Sequence, residues 1–377
     1  MRGKPKVLIA ALSGQALANS AKRAGYGAYV LDVFGDTDTR RASLASEVIG
    51  TCREGFDAER LISAALRLYP RGRDTRLVYG SGFEHCPDLL ARLGRKFRVV
   101  GTRPEVIRQV KDPVSFFCLL ERLGIPYPET TVKLPRAKTR WLIKRTGAAG
   151  GGHIRLLPVD RADIADERHY YQRRLEGRPC SLVFLANGKV ATVLGYNTQW
   201  HAANVPETPF LYGGAVSAAE LEPRIKRAIE ESVAELVRAV DLRGLCGLDF
   251  IVQDNAFWVL ELNPRPPATF ELHEQHGVLF HAHLEACEGH LVRLPERRSR
   301  TVNAHAVLYA DRPLSISMRG GWPAWVSDRP ADGTLIPYGD PICTVHAGGR
   351  SARHARQAVQ HRLLQFEQTL MGRAEVA

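Results

Sequence analysis

The chain has 377 residues, 45% of them hydrophobic and 24% charged, which is too long for a single core and too apolar for global disorder. No run of about 18 apolar residues occurs, so no membrane span is expected. The net charge of +12, from 52 Lys+Arg against 40 Asp+Glu, admits nucleic acid, an acidic small substrate, or simply a solvated arginine-rich surface. Only ten of the basic residues are lysines and none follows Lys226. The surface reading therefore leads, nucleic acid is not expected as a partner, and a lysine inside a motif stands out. Cys52, Cys86, Cys118, Cys180, Cys246, Cys287 and Cys343 are odd in number and never form CxxC. That pattern suits neither a disulfide framework nor structural zinc, and points to a reducing cytoplasm.

The basic start and short apolar run of MRGKPKVLIAALSG read as a first strand rather than a signal peptide, because Gly14 and a helical pattern follow at once. Val7 to Leu12, a helix to Ala24 and a second apolar run from Ala28 to Leu31 open a doubly wound α/β unit. Arg76 to Tyr79 and Phe97 to Val100 repeat the short-strand pattern. The first turn reads Ser13-Gly14-Gln15, not GxGxxG, which argues against a dinucleotide site there. Pro104 and Pro113 suit the first turns of two helices, the second running to Leu123. A strand from Trp141 to Lys144 leads into Gly147-Ala148-Ala149-Gly150-Gly151-Gly152. A hairpin is predicted about Asn187-Gly188, a helix from Glu222 to Ala239, and a second hairpin from Cys246 to Leu262 turning at Asp254-Asn255. The last eighty or so residues are rich in Gly, Pro and short strands, and end in a helix from about Ser351.

Two stretches carry chemistry. The glycine loop, directly after Lys144-Arg145, can either fold over phosphates with its backbone N–H groups or be a plain surface loop. It lacks the GK[ST] of a Walker A loop. In the second hairpin, Glu261 and Asn263 differ by two and share a strand face, and Asp249 from the paired strand can reach the same face. Trp258, Val259, Leu260 and Leu262 make this a buried strand, where an uncompensated Glu261 would be costly. Three hard oxygen donors beside a phosphate are what Mg²⁺ requires. Arg265, in the stiff run Asn263-Pro264-Arg265-Pro266-Pro267, can clamp an anion. Phe210 to Ala215 reads equally as a substrate loop or a structural turn. His273, His276, His281 and His283 invite a zinc reading, but HEQH is one residue short of HExxH, and packing or substrate contacts are preferred.

Together Lys111 in QVKDP, Gly124-Ile125-Pro126-Tyr127-Pro128, Lys144 before GAAGGG, QRRLEG, CGLDF and LELNPRP resemble the ATP-grasp superfamily of carboxylate–amine ligases and carboxylases. The tail GTLIPYGDPICTV is similar to the β-rich segment of biotin-carboxylase-like members. The resemblance implies an α/β (α+β in the lobes) ATP-grasp fold. A pre-ATP-grasp Rossmann-like domain would span 1–103, two lobes about 104–178 and 179–290, and a C-terminal β-rich segment 291–377. It also implies that Lys111 and Lys144 hold the ATP phosphates, with Lys144 and Arg265 acting in catalysis. Gly147, Gly150, Gly151, Gly152 and His153 would form the lid, and Gln172, Arg173, Arg174 and Leu175 the adenine hinge. Asp249, Glu261 and Asn263 would bind two Mg²⁺ ions, with Mn²⁺ as a substitute, and Tyr212, Gly213 and Gly214 would face substrate. The hinge departs from the usual Gln-Glu-aromatic, which leaves the ribose contact unassigned. The expected activity is amide formation between a small carboxylic acid and an amine, such as an amino acid, through an acyl phosphate. Relatives in cofactor biosynthesis extend this to C1-cofactor (methanofuran- or pterin-type) substrates, and a homodimer is compatible. The competing expectations are an ATP-dependent carboxylase and an ATP-binding regulatory protein without catalysis.

Overall fold

The computed structural model describes residues 4–69, 75–136, 139–157, 168–296, 301–318, 320–371 and 375–376. The N-terminal part is a five-stranded parallel sheet ordered Ala45–Val48, Gly27–Asp32, Lys6–Ala10, Arg76–Tyr79, Arg98–Val100. Helices alternate with these strands and cover both faces, so Val7, Leu8, Ile9 and Ala10 are all fully buried. That double covering is why the first strand is a continuous apolar run rather than an alternating one. The chain leaves the central strand Lys6–Ala10 on one side and returns on the other at Arg76–Tyr79. The loops after these two strands meet, Leu12 N donating to Ser81 O at 2.8 Å. This is the switch point where such sheets open a crevice.

Two short helices follow, Pro104–Lys111 and Pro113–Arg122, each with proline in its first turn. The Asp112 carboxylate caps the second by accepting from Ser115 N at 2.8 Å. A small antiparallel sheet has the order Arg155–Leu156, Trp141–Arg145, His169–Arg173, Thr130–Thr131. The larger sheet has eight strands, in the order Ala256–Asn263, Arg243–Gln253, Arg178–Asn187, Ala191–His201, Tyr212–Val216, Val302–Tyr309, Pro341–Gly349 and Val326–Ser327. The C-terminal segment thus continues this sheet, with helix Ala352–Met371 packed on it.

Alternation along the strands divides the two faces. Leu182, Phe184, Leu248 and Phe250 point to the helix Pro223–Val240, where Ile229, Val233 and Leu236 meet them. Val183, Leu185 and Leu245 point the other way, towards the helix Val278–Cys287 and the N-terminal sheet. Both expected hairpins form. At the second turn Asp254 and Asn255 adopt φ of 50° and 57°, the left-handed pair that a two-residue hairpin needs. The seven cysteines are free. Among the described residues no helix is long and apolar enough to cross a membrane.

Candidate active site

The second hairpin builds the floor of the site. Asp249 lies directly opposite Glu261, and Gly247 opposite Asn263. Their neighbours Leu248 and Leu262 belong to the opposite, apolar face, so the period-two reading of this strand pair is the observed one. The Asn263 amide donates to Asp249 Oδ2 at 2.8 Å, and Gln199 Nε2 donates to Asp249 Oδ1 at 3.2 Å. Burial and the neighbouring Glu261 charge raise the Asp249 carboxyl above its usual range.

Lys111, at the end of its helix, reaches this floor. Its side chain is 6% exposed, and its ammonium donates to Glu261 Oε1 and, at 3.1 Å, to Asn263 Oδ1. Burial would raise the Glu261 carboxyl, but the charges of Lys111 and Lys144 outweigh it and the group is held below its ordinary value. Lys144, on the strand Trp141–Arg145, donates instead to Gln172 Oε1 at 2.6 Å. Gln172 is fully buried and donates in turn to Thr130 Oγ1 at 3.2 Å. Burial, opposed by the pull of Glu261 and Asp249, lowers the Lys144 ammonium to about 8.

Arg265 is where the N-terminal sheet enters the site. Its Nε donates to Glu84 Oε1 at 2.6 Å, and the two side chains are 9% and 2% exposed. Its Nη2 approaches Asn263 Oδ1 at 3.4 Å. Burial of Glu84 is outweighed by Arg265 and Lys111, which bring its carboxyl down to about 2. The loop carrying Arg265 is pinned by Tyr79, whose hydroxyl lies 2.7 Å from Thr102 O and 3.0 Å from Pro264 O. Glu84, Tyr79 and Gln199 were not singled out in the sequence. The available signal was position: Gly80-Ser81-Gly82-Phe83-Glu84 follows a strand at the carboxyl edge of a doubly wound sheet.

The glycine loop closes over this floor from the small sheet. Gly151 has φ of +79°, and a Cβ there would lie 2.0 Å from Phe210 O; a Cβ on Gly147 would lie 2.8 Å from His85 Cα. Tyr212 N donates to Gly150 O at 2.9 Å. The loop thus touches the N-terminal sheet on one side and the segment 210–212 on the other. His153 at its end is pushed down to about 4 by burial, and its Nδ1 has no partner among the described residues. Tyr212, Gly213 and Gly214 form the start of a central strand, not a turn. Gln172 and Arg173 belong to a strand of the small sheet. Arg173, Arg174 and Leu175 line a cavity of about 210 Å³ together with Arg140, Glu176 and Gln253.

The four histidines of the 273–283 stretch do not converge on a metal. His273 Nε2 lies 2.7 Å from Asn197 Oδ1. His283 is buried between Leu245 N, which donates to its Nδ1 at 2.9 Å, and Val100 O. His276 and His281 are exposed. Packing with the Asn197 side chain accounts for His273, and packing with backbone contacts for His283.

Residues 110–269 match the ATP-grasp domain family. This segment is an ATP-grasp domain. The chain is similar in fold to biotin carboxylase from Campylobacter jejuni, solved as a β-γ-ATP complex, with a TM-score of 0.69 and 13% identity over 98% of this chain and 92% of that one. Over 370 residues it is 23% identical to the uncharacterized protein MJ0776 of Methanocaldococcus jannaschii, covering 92% of this chain and 88% of that protein. It is also 29% identical over 197 residues to the carbamoyl phosphate synthase large chain of Deinococcus radiodurans, covering 45% of this chain but only 19% of that much longer one. Lys111, Asp249, Glu261, Asn263 and Arg265 all lie inside the matched segment.

Proposed function

We propose that the chain joins a small carboxylic acid to an amine, with Mg-ATP activating the acid as an acyl phosphate. The observation that carries this reading is the convergence of Lys111, Asp249, Glu261, Asn263 and Arg265 beneath a glycine loop, with Lys144 beside them. The oxygen set suits Mg²⁺: two carboxylates and an amide are hard donors. Two of them, Glu261 and Asn263, already gather a cation here, the Lys111 ammonium. Bound there, Mg²⁺ would neutralise charge on the phosphates of the nucleotide. The unpartnered Nδ1 of His153 and the open space around Gly150 leave polar room beneath the lid for phosphate.

The chain's own residues divide the remaining work. Lys111 and Lys144 would hold the phosphoryl oxygens, where fixed positive charge counters what spreads over them during transfer. Because Lys144 is lowered only to about 8, it stays mostly protonated at neutral pH. Arg265, fixed by Glu84, would steady the acyl phosphate, and the backbone of Gln172 to Leu175 would read adenine. The closed glycine loop would exclude water from an intermediate that water would otherwise hydrolyse. Tyr212 to Gly214, against the lid, would border the acceptor.

Mg-ATP-dependent ADP release across a panel of acids and amines tests the reading. The panel includes bicarbonate, amino acids, and acids and amines of the methanofuran and pterin type. Turnover that needs both an organic acid and an amine supports the ligase. Turnover with bicarbonate as the only acid points to the carboxylase, and nucleotide binding without turnover to a regulatory protein. Glu261→Gln is expected to reduce turnover by at least a thousandfold while leaving the circular dichroism spectrum that of the folded protein, with a lowered Tm because the buried Lys111 ammonium loses its counter-charge. Retained activity would remove Glu261 from the site.

A further inference from the structure

The polar floor does not end at the nucleotide residues. Register carries it across the large sheet: Glu261 faces Asp249, Asp249 faces Ser181, and Ser181 faces Asn197. One step along, Gln199 faces Ala215, Ala215 faces His305, and His305 faces His346. The line ends at a cross-strand histidine pair on the face opposite the apolar cluster of Ala304, Ala306 and Val345. Glu271, six residues beyond Arg265 in the short 3-10 helix Ala268–Leu272, folds onto that pair. Glu271 Oε1 lies 2.5 Å from His305 Nδ1 and 4.0 Å from His346 Nδ1, and ligand atoms of all three residues lie within 4.8 Å of one another.

We propose that Glu271, His305 and His346 form a binding site for a divalent transition-metal ion of the Zn²⁺ class, separate from the oxygen site at Asp249, Glu261 and Asn263. Two imidazoles and one carboxylate are a donor set for Zn²⁺ or Co²⁺ rather than Mg²⁺, and three protein ligands leave a coordination position open. The surroundings of the rings supply an independent argument. A metal-bound imidazole characteristically donates its other N–H to a fixed acceptor, which sets the tautomer and the ring plane. Both rings have such a partner on the side away from Glu271. His305 Nε2 is 2.6 Å from the Tyr212 hydroxyl, and His346 Nε2 is 2.6 Å from Ser327 Oγ. Without an ion, His305 Nδ1–H donates to the Glu271 carboxylate. An entering cation would take the place of that proton, with Nε2 then donating to Tyr212 and Ser327 and both Nδ1 lone pairs free to bind the ion. Ser327 in turn points to Asp328 Oδ2 at 3.5 Å, which extends the outer layer to a carboxylate. His305 is 3% exposed at its side chain, whereas His346 and Glu271 are 31% and 21% exposed, so the site is rigid on one side and open to an ion on the other.

The full-length protein, stripped with chelator and titrated with Co²⁺, tests the site without reference to turnover. One equivalent is expected to bind with weak visible d–d absorption and no intense near-ultraviolet thiolate band, and Zn²⁺ is expected to displace it. His346→Ala, at a partly open position, is expected to weaken Co²⁺ binding at least tenfold. Ser327→Ala, which removes only the outer hydroxyl, should weaken it by a smaller factor. Glu261→Gln should leave it unchanged. Circular dichroism of each variant verifies the fold, and Ser327→Ala decides the matter if His346→Ala unfolds. No stoichiometric binding, a thiolate spectrum, or Co²⁺ affinity that Glu261→Gln lowers and His346→Ala does not would each overturn the proposal.

Discussion

The buried Arg265–Glu84 pair is the side-chain contact on which two parts of the chain agree. An ion pair this deeply buried adds little net stability compared with apolar packing, yet removing one partner strands the other charge, at a cost of about 3–5 kcal/mol. Glu84→Gln keeps the shape and deletes the charge. It is therefore expected to lower unfolding stability in denaturant by about 3 kcal/mol and to reduce kcat by loosening Arg265. The double variant Glu84→Gln with Arg265→Met separates the two effects: part of the stability should return, because no buried charge is stranded, while turnover should stay lost. Recovery of turnover along with stability would show that Arg265 serves the fold alone. Its place after a strand of the doubly wound sheet is the one local mark of Glu84 in the sequence, because its partner is fixed only when residues 181 positions apart meet.

Among the elements, the glycine loop shows most clearly how sequence becomes function. Gly150 and Gly151 both have positive φ, 76° and 79°, so alanine at either costs about 1–2 kcal/mol of backbone strain. Only at Gly151 would the added Cβ also strike a fixed atom, Phe210 O; at Gly150 it meets open space. If this closed position is the one adopted over nucleotide, Gly150→Ala should raise KM for ATP by no more than about thirtyfold, the kinetic equivalent of about 2 kcal/mol. Gly151→Ala should exceed that clearly. Equal effects in steady-state kinetics would detach the Phe210 contact from nucleotide binding. The hairpins were legible because Asn187-Gly188 and Asp254-Asn255 are local turn chemistry. Asp249, Glu261 and Asn263 were legible because a strand repeats every two residues. The site of Glu271, His305 and His346 was not. Its members come from a short 3-10 helix and two separate strands, and the nearby HEQH drew attention to histidines that are either packed or exposed. The start of a strand at Tyr212, where a turn or a loop was equally plausible, was hidden by two glycines that weaken a strand pattern but here allow close approach to His201 and His305.

At the scale of the molecule, the N-terminal sheet is fastened to the C-terminal segment through an acidic junction. Asp38 accepts from Asp328 N and Arg329 N at 2.9 and 3.0 Å, Thr37 N donates to Arg329 O at 2.8 Å, and Ser13 Oγ donates to Asp328 Oδ1 at 3.0 Å. Asp36 sits beside this seam at 4% exposure, with Oδ2 unpartnered among the described residues. Burial first, and then the charges of Asp328, Asp32 and Asp38, push its carboxyl far above the ordinary 3.8. The direction of the linkage follows. Above about pH 4 the unfolded chain has released this proton while the folded protein still holds it, so the folded state binds more protons and its stability falls as pH rises. The fall amounts to at most about 1.4 kcal/mol per pH unit until the folded group itself ionises. Asp36→Asn removes the titration and keeps a neutral side chain of the same shape. Its stabilising effect should therefore be small near pH 4 and grow steadily to pH 8, seen as a flatter dependence of Tm on pH than in the wild type. Two parallel profiles would mean that Asp36 is ionised in the folded protein, and that the junction holds its charge through Arg40 and solvent instead.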